Sequence, residues 1–169
     1  ELGQELVPSD IETLAADGFL DVTDDEYGGS WRFRSDVVRE VAYQTLTKQA
    51  RAQRHAGVAT HLATLGKVPL DDLAHHAATA AELLEELGSV PGVSSAIRLQ
   101  AVDLLARAAR QSYEIGAFPR GVAASERALS LVGDDDDARR SLRLLYASGL
   151  VEMRALESAR VELVDLLND

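Results

Sequence analysis

Residues 105–129 read LARAARQSYEIGAFPRGVAASERAL, and the placement of small side chains in this stretch decides the fold. Leu105, Ala108, Ala109 and Ser112 recur at helical spacing and stop at Gly116. Gly116-Ala117-Phe118-Pro119 is a tight turn, and Pro119 suits the first turn of a helix over Val122 to Val132. Small residues at Ala108, Ala109, Gly121 and Ala128 let two antiparallel helices nearly touch, while Leu105, Phe118 and Leu129 fill the space between them. Gly121 is expected to weaken its helix. A poorer copy runs from Leu144 through Gly149 to Leu167, with an internal turn near Arg154 to Glu157 that is shorter than such a repeat normally has.

Working outward, the same grammar continues. Ala96 to Ile115 reads as one long helix with Leu99, Val102, Leu105, Ala106, Ala109 and Tyr113 inward. Gln49 to Leu65 is a helix with Val58, Ala59, Leu62 and Leu65 on one face, and Leu70 to Leu87 is the next. Breaks fall at Gly66 to Pro69 and Gly88 to Ser94. The acidic run Asp134 to Asp137 leads into a helix, Ala138 to Glu152, whose positive end it stabilises. The last helix is Ser158 to Leu167.

The first third differs. Pro8-Ser9 is a helix entrance in which Ser9 and Glu12 have the spacing of a capping box, and Ile11, Leu14 and Ala15 form one face up to Gly18. Phe19 to Val22 and Trp31 to Arg34 alternate and predict a β-hairpin across a seven-residue polar loop. A short helix followed by a hairpin is the back half of a winged helix. Ser35 can cap the next helix, whose buried stripe would be Val37, Val38, Val41, Ala42 and Leu46. The expected fold is therefore mostly all-α: a short β-hairpin of a partial winged helix in residues 1–68, followed by antiparallel helical hairpins in 69–169, with the boundary near Pro69.

Composition narrows the function. The chain has 169 residues, 46% of them hydrophobic, but three Phe, four Tyr and one Trp, so its core must come from Ala, Leu and Val. The net charge of -11 makes nucleic acid a poor partner. Residues 31–67 reverse it locally, with seven bases and two acids. No cysteine is present, which is compatible with a reducing, cytoplasmic setting. No apolar run approaches the roughly 20 residues that cross a bilayer, so no membrane partner is expected. The chain starts at Glu1 rather than Met and reads as a piece of a larger protein.

Two stretches carry a family resemblance. Trp31-Arg32-Phe33-Arg34-Ser35-Asp36-Val37-Val38-Arg39-Glu40-Val41-Ala42-Tyr43-Gln44-Thr45-Leu46, with Gly18-Phe19-Leu20 before it, resembles the block that follows the nucleotide-binding core in STAND-type ATPases of bacterial nucleotide-cyclase and LuxR-like regulators. Residues 105–129 resemble a tetratricopeptide repeat, and 144–167 a degenerate one. The resemblance implies a winged-helix arm and helical repeats that relay or restrain an upstream ATPase, on the same polypeptide or on another protein. The phosphate-binding G-x-x-x-x-G-K-S/T pattern does not occur in this sequence.

Candidate sites follow. Arg32, Arg34, Arg39, Arg51 and Arg54 form an expected docking face, with Arg39 the residue expected to communicate with the ATPase core. Tyr113, Phe118 and Tyr146 mark an expected contact groove. His75-His76 suggests a metal pair, but neighbours on a helix point about 100° apart and make poor ligands for one ion. The resemblance implies that one of them braces a neighbouring helix. His55 and His61, six apart, do not share a face, and no nucleophile and orienting acid accompany them. Glu82, Glu85 and Glu86 read as a solvated side. No catalytic residue, cofactor or metal site is assigned. The expected function is a non-catalytic regulatory and protein-interaction module of a signalling protein. The alternatives are a DNA-binding winged helix with a helical dimerisation tail, a small-ligand-sensing helical domain and a passive spacer.

Overall fold

Alanine dominates the faces that the helices turn toward one another. The computed structural model describes residues 8–23 and 30–168 and divides the chain into two compact units, Glu1–Thr47 and Lys48–Asp169. The division precedes the break at Pro69, because the helix before Pro69 packs along the one after it.

The first unit holds α1 (Pro8–Ala16), an antiparallel hairpin of β1 (Leu20–Thr23) and β2 (Ser30–Phe33), and α2 (Asp36–Gln44). In register, Leu20 faces Phe33 and Asp21 faces Arg32. The polar turn 24–29 lies outside the described residues. Pro8 starts α1, so Ser9 lies inside the helix rather than capping it, and its carbonyl accepts from the Thr13 hydroxyl at 2.8 Å. Ser35 does cap α2, accepting from the Val38 amide at 3.4 Å. The expected burial of α2 is not found. Val37 is 72% exposed and Val41 58%, and no residue of the helix is buried. A unit this small has too little chain to enclose one more amphipathic helix, and Leu20 is its one buried hydrophobic among the described residues.

The second unit is a run of six helices: α3 (Lys48–Leu65), α4 (Leu70–Leu87), α5 (Ile97–Glu114), α6 (Phe118–Leu131), α7 (Asp136–Glu152) and α8 (Leu156–Asn168). Each packs on the next, and α5 also touches α7, as α4 touches α6. Pairing across the seams fixes the antiparallel order. Lys48 at the start of α3 meets Glu86 near the end of α4, and Arg143 of α7 reaches Glu162 of α8 at 3.0 Å. The core is Ala56, Ala59, Ala74, Ala77, Ala78, Ala80 and Ala81 from α3 and α4, meeting Ile97, Ala101, Leu105, Ala106 and Ala108 from α5 and Ala128 and Leu131 from α6. Two inward faces are rotated from expectation. In α5 the face is Ile97, Ala101, Leu105, Ala108, Ala109 and Ser112, and Leu99 is 68% exposed. In α3 it is Ala52, His55, Ala56 and Ala59, leaving Val58 and Leu65 exposed. Both follow the i, i+3, i+4, i+7 row of small residues, which permits closer helix contact than the larger aliphatics do.

The two hairpins α5–α6 and α7–α8 have the same turn. Each connection is three residues long, 115–117 and 153–155. The amide of Ala117 donates to the Ser112 carbonyl at 2.8 Å, and that of Ala155 to the Leu150 carbonyl at 2.9 Å. This six-to-one bond closes a helix through a left-handed residue. In the first turn that residue is Gly116, φ 74°, and in the second Arg154, φ 61°. Arg154 is the one non-glycine at positive φ among the described residues. A Cβ in that region costs about 1–2 kcal/mol. Arg154→Gly is therefore expected to stabilise the helical unit by about 1 kcal/mol and raise its thermal midpoint by about 2–4 °C in a calorimetric scan. An unchanged or lower midpoint would show that the Arg154 side chain offsets its backbone strain.

Candidate functional site

Tyr113, at the end of α5, is held by two glycines on two other helices. A Cβ at Gly121 of α6 would overlap the Tyr113 ring, coming within 2.9 Å of its Cζ. A Cβ at Gly149 of α7 would lie 2.6 Å from the same Cζ and 2.6 Å from Val122 Cγ2. The ring thus fills a slot that exists because both positions lack a side chain. The Ser125 hydroxyl donates to the Gly121 carbonyl at 2.9 Å, so at 3.3 Å it accepts from the Tyr113 hydroxyl. Burial pushes the Tyr113 phenol above its ordinary pKa, and Tyr146 on α7 adds to the rise. Burial raises Tyr146 as well, with Glu126 and Glu162 contributing. Phe118 stands 6.3 Å from Tyr113, ring centre to ring centre. Tyr113 therefore lies near both Phe118 and Tyr146, and it packs between α5, α6 and α7. Gly121 makes room for it.

The open concavity lies elsewhere in this unit. A cavity of about 520 Å³ is lined by Leu62, Val68, Leu70 and Leu73 on one side and by Arg107, Arg110 and Glu114 of α5 on the other. A second, of about 620 Å³, adjoins it through Ala63, Leu73 and Arg107 and includes Ala77 and Leu104. Together they form a groove between α3 and α5, floored by α4. Arg107 pairs with Asp103 at 3.4 Å, and Arg110 has no ion-pair partner among the described residues. The sequence did hold a signal for this rim. Asp103, Arg107, Arg110 and Glu114 recur at helical spacing on the side of α5 opposite its alanines.

A histidine seam lies between α3 and α4. His55 of α3 and His76 of α4 meet Nδ1 to Nδ1 at 2.9 Å. Their ring centres are 5.0 Å apart, and His75 lies 5.9 Å from His55 and 5.3 Å from His76. His55 is pushed down to about 4, first by burial and then by His76, His75, Arg127 and Arg51. Burial also lowers His76, helped by His75 and opposed by Asp72. Arg127 of α6 is fixed beside the cluster. Its guanidinium donates to Glu82 Oε2 and to Thr79 Oγ1, each at 2.8 Å, and its Nη1 lies 3.5 Å from His75 Nδ1. That cation disfavours a metal ion at the same place, and among the described residues no cluster has the arrangement of a metal site. Each histidine looked solitary or badly spaced in its own helix. The pairing arises because α3 and α4 fold back on each other across the Gly66–Pro69 turn and pack along their length.

The basic residues are distributed over both units. In the first, Arg32 is exposed opposite Asp21, Arg34 pairs with Asp21 at 2.9 Å, and Arg39 pairs with Asp36 at 3.4 Å. In the second, Arg54 is exposed and Arg51 is half-buried on α3 beside His55. No helix among the described residues is long and apolar enough to cross a membrane.

Comparison with known proteins finds no matching family model, no matching curated protein and no matching solved structure.

The Tyr113 slot has a measurable signature. Gly→Ala in a helix interior ordinarily gains up to about 1 kcal/mol, yet overpacking costs about 1–3 kcal/mol. Gly121→Ala should therefore destabilise the chain in urea unfolding. Placed on a Tyr113→Ala background, the same change should become neutral or stabilising. Additive effects of the two substitutions would show that the slot does not couple them.

Proposed function

We propose that this chain is a non-catalytic protein-interaction module that regulates an ATPase-containing bacterial signalling protein. The observation that carries the reading is the groove over α4. Stacked helical hairpins build concave surfaces suited to protein segments, and this one is lined by the apolar Leu62, Leu70 and Leu73 together with the charged Arg107, Arg110 and Glu114. The recurrence of one turn geometry at 115–117 and 153–155 supports a repeat array. The resemblance of residues 31–46 to the block after a STAND nucleotide-binding core supports an ATPase as the regulated partner.

The two units have separate tasks in this reading. The first, with Trp31, Phe33, Val37 and Val41 exposed, docks on the ATPase through Arg32, Arg34 and Arg39. The groove of the second takes a protein segment, with Arg110 free to pair with an acid on it. The purified chain, titrated with the ATPase portion of its parent polypeptide, should bind, with an affinity that changes between ATP-bound and nucleotide-free states. Arg39→Ala should alter nucleotide turnover in the full protein, and Arg110→Glu should weaken capture of the groove's occupant about tenfold, the worth of one well-placed ion pair. Absence of binding in both nucleotide states, with turnover unchanged by Arg39→Ala, would refute the assignment.

A further inference from the structure

The histidine seam joins α3, one border of the groove, to α4, its floor. His55 shares its face of α3 with Ala52, Ala56 and Ala59, and His76 adjoins Ala77 of α4. Ala59 and Ala77 both line the groove. At 2.9 Å, only one hydrogen fits between the Nδ1 atoms of His55 and His76. One ring donates and the other accepts, so the contact requires at least one neutral imidazole. An imidazolium on both sides would point two N–H groups at each other.

The surroundings oppose a second proton. Arg51 approaches from α3 itself, His75 from α4 and Arg127 from α6. The nearby acids compensate little. Glu82 of α4 is held by two bonds from Arg127, and Asp72 of α4 acts on His76 rather than on His55.

We propose that the His55–His76 contact is a proton-operated latch, in which proton uptake separates α3 from α4 and remodels the groove between α3 and α5. The latch regulates the surface assigned above as the interaction groove, but its opening is measurable without any partner. The direction follows from linkage. His55 titrates near 4 in the closed seam and near 6.5 once exposed. The open state therefore binds the proton more tightly. The closed state loses stability as pH falls below 6.5, and the loss is complete near 4. Between pH 7 and pH 5 the opening constant rises about 20-fold from His55 alone.

The test is amide exchange on the whole chain at pH 7 and pH 5, corrected for intrinsic exchange rates, together with an NMR titration of the histidine rings. Protection in α3 should fall about 20-fold while that in α7 holds, and His55→Gln should abolish the difference. The His55 ring should titrate well below 6.5. Equal loss of protection in α3 and α7, a pH-independent α3, or a His55 ring titrating near 6.5 would each overturn the latch. If His55→Gln fails to fold, the wild-type ring titration and the His76→Gln variant decide the matter.

Discussion

Two helices can lie flush only where neither presents a bulky side chain to the other, and the helical unit is organised around that constraint. The seam between α3 and α4 is almost wholly alanine, with Ala52, Ala56 and Ala59 against Ala74, Ala77, Ala78 and Ala81. The α4–α5 seam continues it through Ala101 and Ala108. Where a large group does enter, the chain removes side chains to admit it. Tyr113 occupies the space left by Gly121 and Gly149, so one ring joins three helices. The largest fully buried side chains of the described residues are Leu131 and Ser125, which shows how little of this core is bulky.

Such a core leaves the polar groups an unusual share of the specificity. Alanine faces slide past one another with little change in burial, because one methyl resembles the next. Register along a seam must therefore come from directional contacts. Arg127 supplies it between α4 and α6 through Glu82 and Thr79, and Arg120 adds a bond to Asp71 at 3.0 Å. Arg143 does the same between α7 and α8. The His55–His76 bond belongs to this set and differs from the others in having an ordinary pKa near neutrality. It is thus the register contact most sensitive to proton concentration.

Much of this architecture was legible in the sequence, and the failures have a common cause. The helices, their breaks and the hairpin follow from periodicity and from glycine and proline punctuation. The acidic run entering α7 also reads correctly, with Asp135 accepting from the Ala138 amide at 2.9 Å. Leu99, Val58 and Leu65 misled because large aliphatics were assigned to the interior, whereas here alanine sets the inward phase. The left-handed position of Arg154 was not legible because the sequence lacks there the glycine that Gly116 supplies in the first hairpin. The histidine cluster was hidden for a different reason. His55 and His76 meet across a hairpin, and Arg127 reaches them from a third helix, so no single-helix spacing reveals the cluster.

The alanine seams also bear on how the molecule responds to temperature. The heat capacity of unfolding grows with the apolar surface newly exposed to water. Each buried methyl contributes far less of that surface than a leucine or a phenylalanine would. An alanine seam therefore contributes less to the heat capacity of unfolding than a leucine seam of the same number of residues would.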